Sequence, residues 1–123
     1  MSRTVDLVIV GMTAAARAAA IDAAHRRRQV LVVGESRDDC YCHQLRRSLD
    51  AAADGCRRRV AVLTGVEVVW VDGTTAVEVI LLRKIKTGRL IGINTGAVLL
   101  TTALQAGVVA ETLRPHAVQV RSE

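Results

Sequence analysis

The 123-residue chain has no phenylalanine, and apart from three histidines its only aromatic rings are Tyr41 and Trp70. With half of the residues apolar and so few aromatics, the core has to be built from Ala, Val, Leu and Ile. The shortage of rings also removes the platforms on which nucleic acid bases stack. The formal net charge of +5 is carried by arginines, with Lys84 and Lys86 the only lysines, and it is spread along the chain. Such a distribution argues against a nucleic-acid surface and for ordinary solvation. No apolar run approaches the length that crosses a bilayer, so no membrane is expected. The start, MSRTVDLVIVG, lacks the long apolar stretch of a secretory leader. Three cysteines, an odd number, do not make a secreted disulfide framework and point to a reducing cytoplasm. Linkers and low-complexity tracts are absent too, and residues 1–123 are expected to form one domain.

What is present is most informative between Val5 and Glu35: VDLVIVGMTAAARAAAIDAAHRRRQVLVVGE. Val5–Val10 is a near-continuous apolar run, as expected of a strand covered on both faces of a parallel sheet. Gly11 follows it as a turn. Thr13–Arg28 is Ala-rich and predicts a helix, with Arg26–Arg28 in its last turn where cations suit the dipole. Gln29–Val33 predicts the second strand, followed by a polar loop over Gly34–Cys42. A second helix is expected over His43–Cys56, stopped at Gly55, and a third strand over Val60–Leu63. After Gly65 the spacing changes to β-rich runs, Val66–Val71, Ala76–Ile85 and Leu90–Ile93, separated by Asp72-Gly73 and Lys86-Thr87-Gly88. These predict a three-stranded antiparallel meander. Ala97–Thr101 reads as a last buried strand, Leu104–Leu113 as a helix ended by Pro115, and the tail from His116 as weakly extended. The expected fold class is therefore α/β, a Rossmann-like parallel sheet with an antiparallel β-meander.

That order of elements resembles the nucleotide-binding domains of the flavin-dependent pyridine-nucleotide–disulfide oxidoreductases, especially the thioredoxin-reductase-like branch. VDLVIVG, VLVVGE, TGVEVVWVDGTTAVEVILLRKIKTG and INTGAVLLTTA carry the resemblance, over about residues 4 to 105. It implies a site for FAD or NAD(P) at the Gly11 turn, with the glycine fingerprint falling on Gly11, Thr13 and Ala16 and with Met12 inside it. Ala16 is tolerated at a position that sets helix–strand packing. Thr13 stands where a second glycine lets backbone approach the pyrophosphate; its side chain either fills that space or bonds the phosphate. Thr101-Thr102-Ala103 stands where the family places another cofactor-contacting glycine. The resemblance further implies that one such domain holds one dinucleotide and needs a second domain, a homodimer partner or a larger oxidoreductase subunit to complete a redox reaction.

Each candidate residue has a plain structural reading beside the functional one. Gly11 is either a cofactor contact or a turn required by backbone geometry alone. Glu35, 24 residues after Gly11, is at the spacing of an acid on a ribose hydroxyl, or is a solvated loop carboxylate. Arg37 either meets a 2′-phosphate, favouring NADP, or is a surface arginine. Cys40 and Cys42, beside His43, suggest a strained, reducible Cys-x-Cys pair at a helix start. With Cys56 they are numerous enough for zinc, but the spacing fits no common zinc pattern and no metal is assigned. His25 and His116 lack the neighbours of a triad. Trp70 is expected in the core or at an interface. Three functions stay open: a stand-alone FAD or NAD(P) domain of an oxidoreductase, a non-catalytic interaction module that keeps the fold, and a small thiol-redox or metal protein. An uncovered apolar patch is expected where Ala97–Leu100 lies beside Val66–Val71.

Overall fold

The structure, a computed structural model, describes residues 3–52, 55–72 and 79–101. The strands are β1 (Arg3–Val5), β2 (Leu7–Val10), β3 (Val30–Gly34), β4 (Val60–Thr64), β5 (Val66–Asp72), β6 (Val79–Lys84), β7 (Leu90–Thr95) and β8 (Val98–Leu100). The helices are α1 (Ala14–His25), α2 (Asp39–Ala51) and the short α3 (Cys56–Arg59). They form two four-stranded sheets, a parallel one in the order β4-β3-β2-β8 and a mixed one in the order β1-β7-β6-β5. In the mixed sheet β5, β6 and β7 make the antiparallel meander and β1 joins β7 in parallel. The expected α/β architecture is the observed one.

The parallel sheet is apolar on both faces because it is the middle of three layers. Val8, Val10, Leu31, Val33, Val98 and Leu100 face the mixed sheet and pack with Val66, Val71, Ile80, Leu82 and Ile93. The alternate residues Ile9, Val30 and Val32 face the helices, against Ala16, Ala20, Ala23, Ala24, Tyr41, Leu45 and Leu49. Strand alternation thus divides one continuous apolar run between two cores. The same stacking removes the expected patch: Val98, Leu100, Val66 and Val71 are all buried. Trp70 is not in the core but 49% exposed, beside a register shift in β5 that re-aims it outward.

Several boundaries differ from those the sequence suggests, each for a local reason. Val5–Val10 is not one strand. At Asp6 the backbone N–H donates to Gln29 O at 2.9 Å, and the carboxylate accepts from Gln29 N at 2.7 Å. That bend sends β1 to the mixed sheet and β2 to the parallel one. Helix α1 ends at His25, so the three arginines lie past it. Arg27 adopts φ 61, Arg28 N bonds Ala23 O and Arg27 N bonds Ala24 O, both at about 3 Å, closing the helix without a glycine. Helix α2 starts four residues before His43 because Asp38 caps it, accepting from Tyr41 N at 2.9 Å. It ends at Ala51, and Gly55 leads into α3 instead of closing α2. Gly65, at φ 72, is the one-residue corner where the chain leaves the parallel sheet for the mixed one. The expected helix over Leu104–Leu113, Pro115 and the tail lie outside the described residues, as do Gly73, Thr102 and Ala103. Among the described residues no helix is long and apolar enough to cross a membrane.

Candidate functional site

Strands β2, β3 and β4 advance to one side of the parallel sheet, and β8 returns on the other side of β2. The order therefore reverses beside β2, and in open α/β sheets ligands bind outside the carboxyl ends of the strands at such a reversal. Gly11 lies there. Its N–H continues the ladder to Val33 O at 2.9 Å, and its φ of 113 is a conformation that side chains rarely adopt. Thr13 then caps α1 from ordinary extended backbone, φ −115, and its hydroxyl accepts from Ala16 N at 3.1 Å. The backbone at Thr13 needs no glycine, and the hydroxyl already has work in the helix. Ala16 is fully buried, which lets α1 lie close on the sheet. The first turn of α1 carries no acidic residue, so its unpaired N–H groups keep their positive end of the helix dipole for an anion.

The end of β3 completes the site. A cleft of about 320 Å3 is lined by Gly11 and Met12 from the end of β2 and by Gly34, Glu35 and Ser36 from the end of β3, with Val66 and Val68 of β5 opposite. Gly11, Met12 and Glu35 are thus brought together, with Thr13 and Ala16 in the helix start beside them. Arg37 is not: it points to Asp39, 2.7 Å away, and lines a separate groove with Cys42 and His43. The hydrogen bond that Arg37 donates to the Asp39 carboxylate, reinforced by the charge of Asp39, raises the Arg37 pKa above its ordinary value. The wall from Val66 to Val68 was not legible as part of the site, because it comes from the other sheet. Thr101, in the segment where the resemblance sets another cofactor-contacting glycine, is a buried residue whose hydroxyl and N–H both donate to Val10 O, at 2.8 and 3.0 Å, and close the strand end next to Gly11.

Tyr41 ties α2 to this turn. It is buried, and its hydroxyl donates to Thr13 O at 2.9 Å. Burial first, offset partly by the charge of Arg17, pushes its pKa up to about 12 from 10.0. A raised pKa in the folded state means that the neutral phenol contributes stability in full below pH 10, and that the contribution is lost as pH rises toward about 12. As the chain has one tyrosine, tyrosinate absorbance reads this directly. The expected midpoint is about 12 in the folded protein and about 10 in urea. Tyr41→Phe should flatten the stability profile over that interval, and a midpoint unchanged by urea would contradict it.

The cysteines are dispersed. Cys40 is exposed, Cys42 half-buried and Cys56 buried, and all three are free thiols. Since α2 already includes Cys40 and Cys42, they stand two residues apart on a helix, where side chains do not face each other. A disulfide between them requires unwinding the first turn. Among the described residues no three His, Cys, Asp or Glu side chains are grouped to hold a metal ion.

The chain matches no protein-family model and no curated protein. Among solved structures it is similar to the Sdh1 complex of Mycobacterium smegmatis, with a TM-score of 0.64 and 10% identity over 82% of this chain and 34% of that one. A thioredoxin reductase from Streptococcus pyogenes gives a TM-score of 0.62 and 21% identity, covering 82% of this chain and 32% of that one. The myxobacterial chondrochloren halogenase, an FAD-dependent halogenase variant, gives 0.57 and 13%, covering 82% and 38%. Identities this low establish the fold alone, and the fold is the one the sequence resemblance implies. The chain spans about a third of the length of these neighbours.

Proposed function

We propose that this chain is a cytoplasmic dinucleotide-binding domain, holding FAD or NAD(P) as one part of a flavin-dependent oxidoreductase. The observation that carries the reading is the convergence of the Gly11 turn and Glu35 on one cleft at the carboxyl edge of the parallel sheet, with the acid-free first turn of α1 following two residues after the Gly11–Met12 wall. The residues fit such a group. The turn leaves its backbone bare at Gly11 for a pyrophosphate, and Glu35 offers a carboxylate to ribose hydroxyls one strand away. A bound flavin or nicotinamide supplies the hydride chemistry, while the protein supplies position and charge. Arg37, held by Asp39 outside the cleft, gives no support for a 2′-phosphate. Calorimetric titration with FAD, NAD and NADP, together with the visible absorbance of the purified protein, tests the reading. Absence of binding by all three removes it.

The second reading is a non-catalytic module that keeps the fold. What favours it is that Thr13 spends its hydroxyl on the helix cap and that the Met12 side chain packs into the cleft against Gly34. The same titration separates the two.

A cleft of about 320 Å3 is at the lower end of ligand sites, which run roughly from 300 to 1,000 Å3, and suits part of a dinucleotide. The rest of such a ligand requires cover, from a second copy in a homodimer or from a larger oxidoreductase subunit. Light scattering across a concentration series is expected to show more than the monomer mass, or purification from the native cell to bring down a partner. A monomer at every concentration with no partner would contradict this.

A further inference from the structure

Met12 follows the turn glycine, and its side chain runs sideways from the end of β2 onto the end of β3. A Cβ built on Gly34 would stand 3.1 Å from Met12 Cγ and 3.2 Å from its Sδ and Cε, tighter than most real Cβ contacts, so that the thioether would have to shift by a few tenths of an ångström. Gly34 does not have the left-handed backbone that demands glycine, so its missing side chain is what makes a seat for the thioether. The strip that Met12 covers therefore lies between the Gly11 turn and Glu35, and all of these residues border the same cleft. The contact is one of packing alone: Met12 is half-buried, lies against the helix-side core, and holds nothing by a hydrogen bond or a charge.

We propose that Met12 is a gate in the cleft, seated on Gly34 when the cleft is empty and displaced by a nucleotide that reaches from the Gly11 turn to Glu35. The inference rests on the nucleotide-binding reading above and adds how that site is regulated. A phosphate alone can occupy the turn without crossing the strip, whereas a nucleoside diphosphate has to cross it. Methionine suits a gate because it is unbranched, has three rotatable bonds, and can leave one apolar seat for another without stranding a polar group. The free energy of lifting it off Gly34 is subtracted from the affinity of every ligand that spans the two strand ends.

ADP is the probe, since it carries the ribose and the phosphates without the second half of a dinucleotide. Titrations of the wild-type chain, Met12→Ala and Met12→Leu should show the alanine variant binding about tenfold more tightly. Leucine, as bulky but with fewer torsions, should bring no gain. A second measurement needs no variant. The chain has two methionines, Met1 and Met12, so the carbon-13 methyl resonance of Met12 is readily assigned and should shift as ADP saturates the site. Binding by Met12→Ala that is equal to or weaker than wild type, or a methyl resonance unmoved at saturation, overturns the gate while leaving the site. Failure of all three proteins to bind ADP removes the nucleotide reading and the gate together.

Discussion

Gly11→Val should abolish nucleotide binding, with a loss of more than about 100-fold, or ~2.7 kcal/mol. Two effects act together. The φ of 113 at Gly11 is closed to a β-branched residue, and holding one there costs on the order of 1–3 kcal/mol. The chain relieves that strain by moving the turn, and the turn is what aims the first N–H groups of α1 at the ligand. A valine side chain would also fill space that a pyrophosphate has to share with bare backbone. The fold should survive, because Val10 and Val33 stay paired in a ladder that valine at position 11 does not interrupt. Titration of the variant with FAD or NAD, beside its far-ultraviolet circular dichroism, checks both halves of the expectation. Full affinity in a folded variant would place the site elsewhere, away from the end of β2.

How far such a site is legible without coordinates depends on whether its parts are local in sequence. The strand, turn and helix from Leu7 to His25 are local, and so is Glu35 at the end of the next strand; periodicity and one glycine are enough to find them. The change of spacing at Gly65 likewise announces the meander. The split of the first strand at Asp6 is not local, since it depends on two hydrogen bonds to Gln29. The start of α2 at Asp39 was legible in principle, because Asp38 is a capping residue, but the polar run around it reads equally well as a loop. That one boundary decides the chemistry of Cys40 and Cys42, which a loop would bring together and a helix turns apart. Gly34 shows the limit most plainly. In sequence it is the end of a strand, and only the position of Met12 shows what its missing side chain is for.

Leu31→Ala is expected to cost about 2–5 kcal/mol, a large part of the roughly 5–15 kcal/mol that holds a domain of this size. Leu31 is fully buried in β3, paired with Val8 on one side and Ala61 on the other. Its side chain lies in the core between the two sheets, with Val66, Ile80 and Leu82 in the same cluster. Without phenylalanine that core has no large ring to swing into a vacancy. Nor can the two sheets easily close on the gap, since each is tied by its own ladder, so the cavity stays and adds to the lost transfer energy. Urea unfolding should show a lower midpoint with an unchanged slope. Val62→Ala, at a 36% exposed position on the edge strand β4, is the comparison and should stay within about 0.5 kcal/mol of wild type. A loss below about 1 kcal/mol at Leu31 would mean that the sheets settle together when the side chain is removed. That outcome would matter for the cleft as well, because Val66 and Val68 form its far wall and rest on this same core, so a sheet free to settle is a wall free to move.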